Sequence, residues 1–444
     1  MCAIFGVLHV EKASSLAAIG LHGNQHRAID YAGIASSDGV RMYHKHGTGV
    51  TRQVFTPAVL ETLPGMHALG HIRYPTVADN KILRNIQPVL GRYKGVSFAL
   101  AHNGNITNVD ELKELVPTSS LLTSMDTEYM VRILERAETG DFERDVMNML
   151  GYIKGSFAIG ILTPTQLIAI RDPSGNRPLS IGKINGGYCI SSETCAFSNI
   201  GAVFVSDVEA GSMVSIGPEG IRTIHFAKKN EKKCRFEAIY YSHPSSTVFG
   251  EPLTNFRIRL GRALEKYCPV KGGADIVTPI PDSSNFIAMG YGKSGCSGEY
   301  FPVIIRNHYV GRTFIAATQT KRAAEVAQKF AFTDDEIFGK RIVVVDDSIV
   351  RGTTLPVILG ILRKLGAKEV HVRIGSPPIM HSCRYGINTP TREELIASTQ
   401  SPEQIRKWLG ADSLEFLPIE ALKELSPNPS SFCFACMDGE YWDK

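Results

Sequence analysis

The segment Arg341–Thr354, RIVVVDDSIVRGTT, constrains the fold more than any other part of the chain. A run of β-branched residues ends in two carboxylates, Asp346 and Asp347, and a Ser, Gly and Thr loop then opens a helical stretch at Leu355–Leu365. Gly366 suits the end of that helix, and a second apolar run follows at Glu369–Ile374. Apolar strands separated by a helix are the pattern of a parallel sheet covered on both faces. Ligands of such sheets bind at the carboxyl edge of the strands, where the free N–H groups and dipole of the next helix suit a phosphate monoester. Asp346 and Asp347 can accept from the vicinal hydroxyls of a ribose or help hold Mg2+. An acidic helix cap after a core strand is the plainer alternative. A Walker A loop is excluded, because no Gly-Lys-Ser/Thr follows the required spacer.

At ~100–200 residues per domain, 444 residues imply two or three domains, with two as the starting expectation. The composition changes at Ala227–Lys233 (AKKNEKK), so the expected domains are residues 2–232 and 233–444. Before that boundary, apolar runs such as Val96–Ala101 and Ser156–Leu162 alternate with Asn-Gly, Gly-Gly and Pro-Ser-Gly turns, which predicts sheets joined by hairpins. Helices are expected at Asp110–Leu115 and Thr127–Ala137. A 43% hydrophobic, 21% charged chain is a globular composition, and a net charge of +4 argues for neither a nucleic-acid nor a membrane-surface partner. No apolar run reaches the ~18 residues that span a bilayer, and no signal-peptide leader is visible, so a cytoplasmic protein is expected. The nine cysteines are odd in number and widely spread, which disfavours a disulfide framework.

Cys2 follows the initiator Met, whose removal leaves a cysteine with a free α-amine. That amine, with a pKa of ~7.7–8.0, can take the proton of its own thiol, so one residue supplies nucleophile and base. In Ala101–Asn108 (AHNGNITN), the amide of Asn103 and the N–H of Gly104 can converge on one oxygen as an oxyanion hole, although Asn-Gly also favours a plain hairpin turn. Arg73, in GHIRYPT, can clamp a carboxylate or sit on the surface. Asp126, in SMDTE, can pair with an ammonium or cap a helix.

In this order and spacing these segments resemble the glutamine amidotransferase domain of the N-terminal-nucleophile hydrolases. The resemblance implies that Cys2 attacks the side-chain amide of glutamine and that Asn103 and Gly104 stabilise the oxyanion. It assigns Arg73 and Asp126 to the α-carboxylate and α-amine. It also implies an α/β/β/α sandwich of antiparallel sheets. Gln25, His26 and Arg27 match the family's Gln-His-Arg-Gly segment, which adds Arg27 to the expected glutamine-binding residues. Ala28 stands where the family has glycine and Ile29 where it has glutamine; a glycine needed for positive φ would make Ala28 reshape the pocket.

Arg341–Thr354 resembles the 5-phosphoribosyl-1-pyrophosphate (PRPP) motif of type I phosphoribosyltransferases, which implies PRPP contacts from Asp346, Asp347, Ser348, Arg351, Gly352, Thr353 and Thr354. Thr278–Ser284 (TPIPDSS) resembles the pyrophosphate loop, with Ser283 at PRPP and Ser284 joining Asp346 and Asp347 at Mg2+. Tyr309–Ile315 (YVGRTFI), with the polar stretch through Lys329 to Gly339, resembles the loop that closes over PRPP and supplies Arg312 and Lys329. Closure excludes water from an oxocarbenium-like C1.

Cys433-Phe-Ala-Cys436 is a C-x-x-C that suits zinc, a redox pair or an iron-sulfur cluster, and spacing does not choose among them. Across its length the chain resembles the glutamine PRPP amidotransferases in their iron-sulfur branch, which implies a [4Fe-4S] cluster on Cys234, Cys383, Cys433 and Cys436. The implied reaction converts glutamine and PRPP to 5-phosphoribosylamine, glutamate and pyrophosphate, the first step of de novo purine synthesis. The resemblance further implies a homo-oligomer, commonly a tetramer, inhibited by purine nucleotides. The alternatives are a paralogue that uses free ammonia because its glutaminase is impaired, and a PRPP-sensing regulator. Cys189, Cys195, Cys268 and Cys296 are expected as buried core thiols.

Overall fold

A computed structural model describes residues 2–74, 83–295, 297–308, 328–389 and 391–443. The chain begins with strand β1 (Ala3–Leu8), helix α1 (Ala13–Gly23) and, further on, strand β2 (His67–Arg73). β1 and β2 pair antiparallel at the middle of a seven-stranded sheet. A six-stranded antiparallel sheet follows. It includes β3 (Val96–Ile106), then helices α2 (Asp126–Glu135) and α3 (Phe142–Tyr152), then β4 (Gly155–Leu162), which pairs with β3.

Side chains alternate along a strand, and this alternation builds the layers. In β1, Ala3, Phe5 and Val7 face Ala13, Ala17 and Leu21 of α1. Ile4 and Leu8 face the other way, against Ala99, Ala101, Ala158 and Leu162 of the second sheet. On the far face of that sheet, Phe98, Leu100 and Phe157 pack on Met130 and Leu134 of α2 and Val146 and Met149 of α3. The result is helix, sheet, sheet, helix. Gly20 sets the first spacing, since a Cβ there would lie 2.4 Å from the Phe5 ring.

After residue 225 the pattern changes. Helix α4 (Leu253–Tyr267) precedes a five-stranded sheet whose strands all run parallel; its central members are β5 (Ile276–Pro279), β6 (Arg341–Asp346) and, after helix α5 (Leu355–Lys364), β7 (Glu369–Ile374). Val343 and Val345 pack on Phe256 and Leu260 of α4, while Ile342 and Val344 pack on Ile358 and Leu362 of α5. Both faces are covered, as the unbroken apolar run of β6 requires. A parallel bridge pairs Lys233–Cys234 with Phe432–Cys433, tying the start of this half to the end of its chain.

The expected fold classes are thus both present. The turn anticipated at Asn103–Gly104 is instead the interior of the 11-residue strand β3. The polar stretch through Lys329 to Gly339 is also not one continuous loop. Residues 330–332 pair with 304–306, and Phe330 and Ile337 enter the core, because these two apolar side chains gain more from burial than from a mobile lid. Tyr309–Ile315, Arg312 and Cys296 lie outside the described residues. No helix among the described residues is long and apolar enough to cross a membrane.

Candidate active sites

Cys2 immediately precedes β1, beside the end of β2, which carries Arg73. One cavity is lined by Cys2, Arg73, His102, Gly104, Asn105 and Asp126, and its far wall comes from the other half of the chain: Cys383, Gly386, Ile387, Asn388 and Thr389. Asn103 lies just behind that surface, 1% exposed, and its Nδ2 has no hydrogen-bond partner among the described residues. An unpaired buried amide costs on the order of 1–3 kcal/mol, so this donor has capacity for an acceptor brought into the cavity.

Asp126 opens α2 without capping it; the cap position is Met125. Its carboxylate accepts from Ile106 N (2.9 Å) and Thr127 N (2.8 Å) and lies 3.7 Å from His102 Nδ1. Burial opposes ionisation of both groups. The mutual attraction outweighs it, holding the His102 pKa above and the Asp126 pKa below their ordinary values. Sequence reasoning passed over His102, although it immediately precedes Asn103.

Arg27 requires a correction. It does not line this cavity: its guanidinium is 1% exposed and is occupied by two carboxylates. It pairs with Glu193 and donates to Glu237 Oε1 (2.8 Å) and Oε2 (3.0 Å), while its Nε donates to the Cys2 carbonyl (2.9 Å). Arg177 donates to the same Glu237 Oε1 (3.0 Å), and Glu193 accepts from His243 N (2.8 Å) and Ser246 Oγ (2.7 Å). Arg27 therefore holds the Cys2 backbone and does not face the pocket. Ala28 is fully buried in the core beside α1, is not among the residues of positive φ and does not line the pocket.

A second cavity gathers Asp346, Asp347, Ser348, Arg351, Gly352, Thr353 and Thr354 around the turn from β6 to α5, facing Ser283, Arg306 and Lys329. Gly352 takes φ +70°, and a Cβ there would meet the Trp408 ring at 2.8 Å. Burial and then the neighbouring Asp347 push the Asp346 carboxyl well above the carboxylate range, and burial raises Asp347 as well. Two adjacent, mutually repelling carboxylates at a cavity wall suit a divalent cation. Ser284, expected at Mg2+, is fully buried, donates to the Ile280 carbonyl and is not among the residues lining this cavity.

Cys234, Cys383, Cys433 and Cys436 converge on one small cavity with Arg177. Burial, then the other cysteines, raise the thiol pKa values of Cys433 and Cys436. Among the described residues no three His, Cys, Asp or Glu side chains come close enough to share a single ion. Cys189, Cys195 and Cys268 are buried, each thiol pushed up to about 12 chiefly by desolvation.

The two larger cavities meet at Asn388, which lines both. An antiparallel sandwich with a pocket at Cys2, beside a parallel sheet with a cavity at its strand ends, is the architecture of a glutamine amidotransferase domain fused to a phosphoribosyltransferase fold. The glutamine amidotransferase domain family matches residues 76–199. The chain is 40% identical over 449 residues to the amidophosphoribosyltransferase of Bacillus subtilis, covering 99% of this chain and 94% of that one. It is 39% identical over 447 residues to amidophosphoribosyltransferase 1, chloroplastic, of Arabidopsis thaliana, covering 99% and 78%. The solved glutamine PRPP amidotransferase from B. subtilis complexed with ADP and GMP matches with a TM-score of 0.92 at 40% identity, covering 99% of this chain and 97% of that one. The chain belongs to the amidophosphoribosyltransferase family.

Proposed function

We propose that the chain releases ammonia from glutamine at Cys2 and passes it to C1 of PRPP held at Asp346–Thr354, forming 5-phosphoribosylamine, glutamate and pyrophosphate in the first step of de novo purine biosynthesis. The observation that carries this reading is the shared wall at Asn388, which sets the ammonia-releasing and ammonia-consuming cavities side by side.

With Met1 removed, the Cys2 α-amine takes the thiol proton and the sulfur attacks the amide carbon of glutamine. Asn103 Nδ2 and Gly104 N–H donate to the oxyanion, while Arg73 and Asp126 hold the α-carboxylate and α-amine. The proton returns to the departing nitrogen, ammonia leaves, and water releases glutamate from the thioester. At the second site the Ser348–Thr354 turn cradles the 5-phosphate at the start of α5. Ser283, Lys329 and Arg312 offset charge on the departing pyrophosphate while ammonia meets C1.

Mg2+ fits Asp346 and Asp347, and when bound supplies positive charge to the pyrophosphate. A [4Fe-4S] cluster fits the four-cysteine cavity, where Arg177 offsets thiolate charge; when bound it would supply a cross-link among the segments at 234, 383 and 433–436. Purine nucleotides, by analogy with the ADP- and GMP-bound relative, would compete at the phosphate cradle of a cytoplasmic homo-oligomer, a tetramer.

The test is pyrophosphate release from PRPP with glutamine or ammonium as donor. Cys2→Ala is expected to abolish only the glutamine reaction and Asp347→Asn to impair both. No pyrophosphate from the wild type with either donor overturns the reading, and iron-free, colourless protein purified without oxygen overturns the cluster.

A further inference from the structure

The glutamine pocket is not completed by the half of the chain that carries Cys2. Residues 386–389 form part of its wall, and at Gly386 the contact reaches the catalytic backbone itself. Gly386 has φ +103°, and a Cβ placed there would lie 2.8 Å from the Gly104 carbonyl carbon and 2.9 Å from its Cα and O. These are backbone atoms, which have no side-chain freedom with which to yield. On its own Cβ side Gly104 is closed by the Ser156 carbonyl of β4, 2.0 Å from where a Cβ would stand. One residue further, Asn105 Nδ2 donates to the Arg384 carbonyl (2.9 Å), a bond that joins the two halves of the chain.

The abutting segment is itself fixed from behind. Cys383 N donates to Thr389 Oγ1 (2.7 Å), which closes the loop on itself. Arg177 Nε donates to the Tyr385 carbonyl (3.0 Å), and the Tyr385 ring stacks on Trp442 while its hydroxyl donates to Asp443 (2.6 Å). A loop braced this way can hold a neighbouring strand to a few tenths of an ångström, the tolerance that an oxyanion hole demands.

We infer that Gly386, with the Asn105–Arg384 hydrogen bond, positions the Gly104 N–H and the adjoining Asn103 amide, so that the transferase half sets the geometry of the glutaminase oxyanion hole. Both are positioning elements: neither touches the reacting atoms. The inference rests on the two-site reaction proposed above, and the two are tested separately because wild-type turnover with each donor is measured alongside the variants.

Gly386→Ala drives a methyl into the Gly104 backbone. An oxyanion donor misplaced by about 1 Å costs ~100-fold in rate, so kcat with glutamine is expected to fall about 100-fold, with the KM for glutamine and ammonium-dependent turnover unchanged. Alkylation of Cys2 by iodoacetamide, which needs no oxyanion hole, is expected to keep its wild-type rate. Asn105→Ala removes one exposed hydrogen bond and no core volume, so it decides the matter if Gly386→Ala does not fold; its kcat with glutamine is expected to fall about fivefold, the worth of one net hydrogen bond. The inference is overturned if Asn105→Ala keeps wild-type kcat with glutamine, if either folded variant loses both donor reactions equally, or if only the KM for glutamine changes. Absence of wild-type turnover instead strikes the proposed function.

Discussion

The phosphate cradle takes Asp346 through Thr354 from one strand-to-helix turn, whereas the glutamine pocket assembles Cys2, Arg73, Asn103 and Asp126 from four separate elements and residues 386–389 from the other half of the chain. The contiguous segment is held mostly by its own backbone path between β6 and α5, with Ser283, Arg306 and Lys329 reaching the cavity from elsewhere. A dispersed site is held by whatever holds its parts together; at Cys2 and at the Tyr385 carbonyl that is the buried Arg27, Glu193, Glu237 and Arg177 set. The contrast predicts that distant substitutions damage glutamine use far more readily than PRPP use.

The largest break should come at Glu237, which accepts from both Arg27 and Arg177. Removing one partner of a buried charge set costs about 3–5 kcal/mol, so Glu237→Ala is expected to lower the urea unfolding midpoint strongly and to lose glutamine-dependent before ammonium-dependent turnover. The pH dependence has a defined sign. Burial opposes ionisation of Glu237, but Arg27 and Arg177 outweigh it and hold its pKa below the ordinary value. Its contribution is therefore present above the unfolded pKa of about 4.3 and lost as pH falls through the lower folded value. Wild-type stability should drop on acidification below pH ~5, and the drop should be shallower in Glu237→Gln. An equal slope in both proteins would show that this carboxylate is not the titrating group.

Next in size, Asn103→Ala removes the unpaired buried donor and should cost about 10²–10³ in kcat with glutamine, leaving the ammonium reaction untouched. A loss in both reactions would place Asn103 in folding rather than catalysis. The smallest effect addresses the contiguous site. Gly352→Val puts a branched side chain at φ +70° against Trp408, a strain of about 1–3 kcal/mol, so the KM for PRPP should rise about tenfold with either donor. A donor-specific rise would break the contrast between the two sites.

The same contrast explains what the sequence discloses. The cradle is legible because strand, carboxylates, turn and helix succeed one another in chain order, and α5 and β7 fall within a residue of their expected limits. Cys2, Arg73, Asn103 and Asp126 are each unremarkable in their local sequence and gain meaning only as a set ordered by the family resemblance. Glu193, Glu237 and Gly386 were invisible, because their roles are defined by partners more than 100 residues away, at Arg27 and Gly104. Arg27 shows the limit of motif transfer: the motif matched, but the buried carboxylates that claim its guanidinium lie outside it.

The shared Glu237 also bears on the order in which the protein is made. A ribosome delivers residues 2–232 first, and that nascent portion carries Arg27 and Arg177 without the carboxylate that binds both. The hold of Arg27 on the Cys2 carbonyl is then incomplete until synthesis passes the boundary. In a chain that ends there, Glu193 alone would hold Arg27, and Arg177 would lack the carboxylate that ties it to Arg27.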